Sequence, residues 1–134
     1  MSGHHHAAIW IDHLEARVFF IGRNATEAFA IHPHDPTRHI HHKANSIGSG
    51  HAKENQAYFH DVAQSVADAS AVLIMGPANA KIELVKHIHH HDPKLMDRIV
   101  GIETVNHPTD GELVDHARRY FRASDRLPHP PPNR

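Results

Sequence analysis

Cysteine is absent from this chain, which excludes disulfides and thiolate zinc sites from the outset. No apolar run is long enough to cross a bilayer. The opening Met1-Ser-Gly-His-His-His6 lacks the basic-then-apolar layout of a signal peptide. A cytoplasmic protein without a membrane partner is the plain expectation. Aromatic residues are sparse at 6%, although apolar content as a whole is ordinary. Neither sign of fixed charge dominates, with 14 Lys and Arg against 15 Asp and Glu. At 134 residues the chain is one domain with enough length for a real core.

What the chain has in excess is histidine, 18 in all. The formal charge of −1 holds only while they are neutral. Full protonation would take it to about +17, so the chain is a conditional polycation in the range where imidazole titrates.

The most informative stretch is Ala71-Val-Leu-Ile-Met-Gly-Pro-Ala-Asn-Ala-Lys81. Its apolar run has no polar gaps and is partly β-branched, which suits a strand buried on both faces. Pro77 then reads as the first residue of a helix reaching about His90, because its missing N–H would be unsatisfied there anyway. Before this unit lie three strand patterns, Ala7–Asp12, Glu15–Ile21 and Thr26–His32, joined by links so short that they must form an antiparallel meander. Lys53 to Ala69 reads as a helix, with Tyr58, Phe59, Val62, Ala63, Val66 and Ala67 on one stripe. After Asp92-Pro93 and a turn at Lys94–Asp97 comes a last strand, Ile99–Val105. The final helix opens on Thr109-Asp-Gly-Glu112, a capping box, and its core face is Leu113, Val114, Ala117, Tyr120 and Phe121.

The order βββαβαβα, with right-handed crossovers, predicts an α/β fold of the ribonuclease H-like kind. One mixed five-stranded sheet is expected, three strands antiparallel and two parallel, with helices on both faces. Residues 1–127 form the domain, and 128–134 a Pro-rich tail. Residues 33–52 form a long loop; Ile40 and Ile47 are almost its only apolar anchors, so little burial offsets ordering entropy and it is expected to be mobile.

Signals for catalysis are weak. A two-metal nuclease needs several carboxylates at the strand ends. Asp12 and Glu54 are candidates, but the central strand ends in Met75-Gly76 with no acid. Asp12 reads better as a strand-end residue that hydrogen-bonds the turn at His13. No serine lies in a Gly-x-Ser-x-Gly elbow. Ser49 and His51 are the nearest approach to a hydrolytic pair, in the loop and without an orienting acid. Gly76-Pro77 matches neither a phosphate loop nor a dinucleotide fingerprint.

Histidine spacing raises metal binding. His87 and His91 are four apart and share a helix face, as a zinc or nickel chelate requires; His39 and His41, with His42, form a second set. No closed ligand set appears, so no cofactor is expected beyond adventitious zinc or nickel. The loop supports a different chemistry. Arg38, His39, His41, His42, Lys43, Gly48, Gly50, His51 and Lys53 make a basic, glycine-containing segment suited to a phosphate backbone.

Three stretches together resemble the middle domain of archaeal and eukaryotic class I release factors and of Pelota. Ile9-Trp-Ile-Asp12 with Glu15-Ala-Arg-Val-Phe19 is similar to its opening hairpin. The basic loop through Gly48-Ser-Gly-His51 into the following helix is similar to the release-factor catalytic loop. Val72-Leu-Ile-Met-Gly-Pro-Ala-Asn-Ala-Lys-Ile-Glu-Leu84 is similar to its buried strand, small-residue turn and Lys-bearing helix. The chain is also similar to small stand-alone bacterial proteins of that superfamily, labelled translational machinery proteins. The resemblance implies ribosome or tRNA as partner. It also carries a departure: release factors have Gly-Gly-Gln at the loop tip, and Gly48-Ser49-Gly50-His51 stands here instead. The resemblance therefore implies a Pelota-like, non-hydrolytic role ahead of peptide release; the alternative readings are a peptidyl-tRNA or other ester hydrolase in which His51, beside Ser49, activates water, and a His-rich metal-binding or pH-responsive module.

Overall fold

The computed structural model describes residues 6–23, 25–33 and 49–126, with side chains described for all of these except 49–54 and 123–126. Most of the expected loop, residues 34–48, and the tail from 127 onward lie outside the described residues.

Five strands form one sheet in the order β3-β2-β1-β4-β5. Strands β1 (His6–Ile11), β2 (Ala16–Ile21) and β3 (Thr26–Ile31) are the expected meander. Strand β4 (Ala71–Gly76) pairs with β1 in parallel and β5 (Ile99–Thr104) pairs with β4 in parallel. The helices are α1 (Ser49–Ser65), α2 (Ala80–His91), the one-turn α3 (Pro93–Met96) and α4 (Asp110–Arg126). The expected topology is therefore present, with β4 internal and buried.

Two cores flank the sheet. On one face Ile9, Ile11, Val18, Phe20, Val72 and Ile74 meet Tyr58, Phe59, Val62 and Val66 of α1 and Leu84 and Ile88 of α2. On the other, Trp10, Phe19, Leu73 and Met75 meet Leu113, Ala117 and Phe121 of α4. The spacing by four in α4 lays those three residues along one stripe, and Val114 and Tyr120, half-buried, pack beside it as read from the sequence. The capping box forms as read: Thr109 N–H donates to Glu112 Oε1 (2.9 Å) and Glu112 N–H to Thr109 Oγ1 (3.1 Å).

Three helix boundaries differ from the sequence pattern by three residues or more, and the strand ends by one at most. Helix α1 begins at Ser49 rather than Lys53, so Ser49, Gly50 and His51 belong to a helix and not to a loop. The apolar stripe starts only at Tyr58, and periodicity carries no information about turns before it. At its other end α1 stops at Ser65. Residues 66–69 continue as tighter turns, in which Val66 N–H donates to Ala63 O and Ala69 N–H to Val66 O.

The third difference is Pro77, which does not open α2. The chain bends through residues 77–79 and the helix starts at Ala80. A chain leaving the sheet has to climb to the helix layer before the helix can start, and the bend at residues 77–79 makes that step. Just before that bend Gly76 backs onto β1, where an added Cβ would stand 2.3 Å from Ile11 O. No side chain fits there, because the obstacle is backbone. Gly76→Ala should therefore force β1 and β4 apart at this end and destabilise the fold by about 1–3 kcal/mol, measured as a lower urea midpoint. An unchanged midpoint would show that the two strands separate there at little cost.

Candidate nucleic-acid interface and the histidine cleft

Because β2 alone is antiparallel to its neighbours, β1, β3, β4 and β5 all finish at the same edge of the sheet. In open α/β sheets, ligands are received outside the carboxyl ends of the strands. The chain leaves β3 at this edge, and α1 starts the crossover that leads to β4. Tyr58 ties α1 down by donating its hydroxyl to Asp12 O (2.8 Å) just past the end of β1.

The carboxylates at this edge are engaged. Asp12 Oδ1 accepts from Leu14 N–H (2.8 Å) and Glu15 N–H (2.9 Å), the turn-holding role read from its position, and Oδ2 lies 3.6 Å from His107 Nε2. Glu15 faces Arg17 and His32, at 3.6 and 3.5 Å. Glu83 faces His13 at 3.4 Å. Arg17 reaches Asp110 at 2.6 Å while its guanidinium lies 4.4 Å from the centre of the Trp10 ring. These acids are taken up by turns, by Arg17 and by histidines. Among the described residues no group of three or more His, Asp or Glu is arranged to hold a metal ion.

Of the residues read as nucleic-acid contacts, Gly50, His51 and Lys53 fall in the first turns of α1. Arg38, His39, His41, His42, Lys43 and Gly48 lie outside the described residues. No acid occupies the first turn of α1, where the positive end of the helix dipole lies. Ser49 and His51, the candidate hydrolytic pair, lie two apart in the first turn of this helix.

A second feature lies between α1 and α2. A cleft of about 530 Å³ is lined by Gln56, His60 and Gln64 of α1 and by His87 and His91 of α2, with Asp92 just past its end. His87 is 7% exposed, and its Nδ1 is 2.7 Å from Gln56 Oε1. Burial lowers its pKa below the ordinary histidine value, and His91, His60 and His90 add to that by repulsion. The structure thus brings His87 and His91 together, ring centres 4.4 Å apart, as their spacing required. His39 and His41, the other metal candidates, lie outside the described residues. The reading of α1 as one apolar stripe passed over Gln56 and His60. Their signal is present: Gln56, His60 and Gln64 recur every fourth residue, a polar seam beside the apolar one.

No protein-family model matches the chain, and no curated protein matches it. Solved structures do. Pelota of Archaeoglobus fulgidus aligns over 90% of this chain with a TM-score of 0.59 at 12% identity. An archaeal translation termination factor, aRF1, aligns over 90% with 0.57 at 14%. Dom34 of S. cerevisiae, described as a translation termination-like factor involved in RNA quality control pathways, aligns over 91% with 0.50 at 12%. The chain spans 35–39% of the length of these proteins. Its fold is thus one that translation termination factors and Pelota share, in agreement with the resemblance seen in the sequence. Among the described residues no helix is long and apolar enough to cross a membrane.

Tyr58 gives a test of how α1 is anchored. Burial first, then the Asp12 and Glu15 charges, push its pKa well above the ordinary value of 10.0. The unfolded chain ionises this group above pH 10 and the folded chain does not. Its stabilising contribution is therefore complete below pH 10 and is lost as pH rises, by about 1.4 kcal/mol per unit. Tyr58→Phe should cost about 1 kcal/mol at neutral pH, from the lost bond to Asp12 O, and should flatten the alkaline decline in the denaturation midpoint. An alkaline profile identical in the two proteins would show that Tyr58 ionises while the chain is folded.

Proposed function

We propose that this protein is a cytoplasmic, translation-associated RNA-binding domain that engages the ribosome or tRNA through residues Arg38 to Lys53, without releasing peptides. The observation that carries this reading is the shared fold: nine-tenths of the chain superposes on proteins whose own descriptions are of translation termination and RNA quality control. The placement of Gly50, His51 and Lys53 supports it, since they start a helix at the carboxyl edge of the sheet with no acid in the first turn. A helix start of this kind attracts phosphate. Lack of peptide release follows from the sequence, which contains no Gly-Gly-Gln and has Gly48-Ser49-Gly50-His51 in the corresponding region.

Cosedimentation with ribosomes tests the reading. Affinity should fall steeply with salt, each neutralised phosphate adding about one unit to the magnitude of the log–log slope. It should rise as pH drops from neutral towards 6, because His39, His41, His42 and His51 gain charge and add phosphate contacts. Replacing Arg38, Lys43 and Lys53 together by Ala should weaken binding and flatten the salt slope by about three units. If that triple variant sediments with ribosomes as well as the parent does, this segment is not the RNA contact. A peptidyl-tRNA hydrolysis assay should give no release above background.

A further inference from the structure

We propose that His87 is an acid-operated latch: a neutral ring lets α1 and α2 close on each other, and protonation of the ring opens the seam between them. The ring belongs to α2, is 7% exposed, and has its Nδ1 2.7 Å from Gln56 Oε1 of α1. Its Nε2 is buried with no hydrogen-bond partner among the described residues. A protonated imidazole carries an N–H on both nitrogens. Acid therefore puts a charge and a second donor on a buried ring that has an acceptor for only one. A buried, charged donor without an acceptor has lost its hydration and received nothing in return.

The surroundings add to this penalty. From α1 the seam presents the neutral Gln56 and Gln64, the Phe59 ring at 6.2 Å and the His60 ring at 6.3 Å. From α2 it presents His91, with ring centres 4.4 Å apart, and His90 beside that. Asp92 lines the cleft past the end of α2, and Glu83, one turn before His87, faces His13. Among the described residues neither carboxylate bonds His87. Asp61 and Lys86 adjoin the seam residues in the chain but are exposed. The sheet beneath offers only apolar side chains. Burial holds the His87 pKa below the ordinary 6.5, and protons on His91, His60 and His90 lower it further by repulsion.

The direction of the response follows. With the seam open, His87 takes up its proton near pH 6.5; with the seam closed it does so only at lower pH. The closed form is therefore fully favoured above pH 6.5 and loses ground as pH falls below it. Opening should become more frequent by up to about tenfold per pH unit. Strands β1 and β4, buried apart from this seam, stay paired. Nothing in this depends on the RNA-binding reading.

Amide hydrogen exchange of the full chain, without RNA, tests the latch from pH ~7.5 to ~5.5, with imidazole resonances following each histidine. After correction for the intrinsic effect of pH on exchange, opening of α1 and α2 should rise by up to about tenfold per unit below pH 6.5, and that of β1 and β4 should not. His87→Gln should abolish the rise. Gln56→Glu, at an exposed position, sets a carboxylate against the ring; it should move the His87 titration to higher pH and keep the seam closed in acid. His91→Gln, also exposed, removes the nearest repulsion and should move the rise to lower pH. If His87→Gln or Gln56→Glu opens in acid as the parent does, the latch does not exist. The same holds if His87 of the parent takes up its proton with no change in exchange at α1 and α2.

Discussion

Strand β1 is bonded on both edges and covered on both faces. Ala7 through Ile11 have no exposed surface, with β2 on one side and β4 on the other. A strand in that position obliges the chain to supply apolar cover above and below. One face carries α1 and α2 side by side, and the other is closed over β1 and β4 by the α4 stripe. The cleft follows from this division. Two helices packed abreast on one sheet leave a groove along their outer seam, and polar residues line it because the sheet lies beneath their apolar sides.

Close approach of backbones carries the same constraint to the ends of the strands. Gly76 lies against Ile11 O with no room for a side chain. The bend that follows delivers α2 with Glu83 over the β1–β2 turn, where it meets His13. Lys81, 6% exposed, extends its ammonium to Ala78 O within that same bend. A strand-to-helix turn, which in other α/β proteins receives a ligand, is here filled by the chain's own polar groups.

The same economy governs charge. Asp12, Glu15, Glu83 and Asp110 each face a histidine, an arginine or backbone N–H groups.

Much of this was legible in the sequence because local patterns and tertiary needs agree. The gapless apolar run of β4, the short links of the meander and the Thr109–Glu112 box each point to one structure, and each is present. The start of α1 was not legible, since nothing apolar marks the turns before Tyr58. Nor was the delay from Pro77 to Ala80, which depends on where the helix layer lies. For the site, the spacing of His87 and His91 already put them on one face. The burial of His87, its contact with Gln56 and the approach of His60 come from α1 packing against α2, a contact between residues some thirty positions apart. Periodicity within a segment determines what each helix and strand will bury. Which polar residues meet across two segments is decided only when the apolar faces have docked, because docking sets the distance and angle between the seams they leave outside.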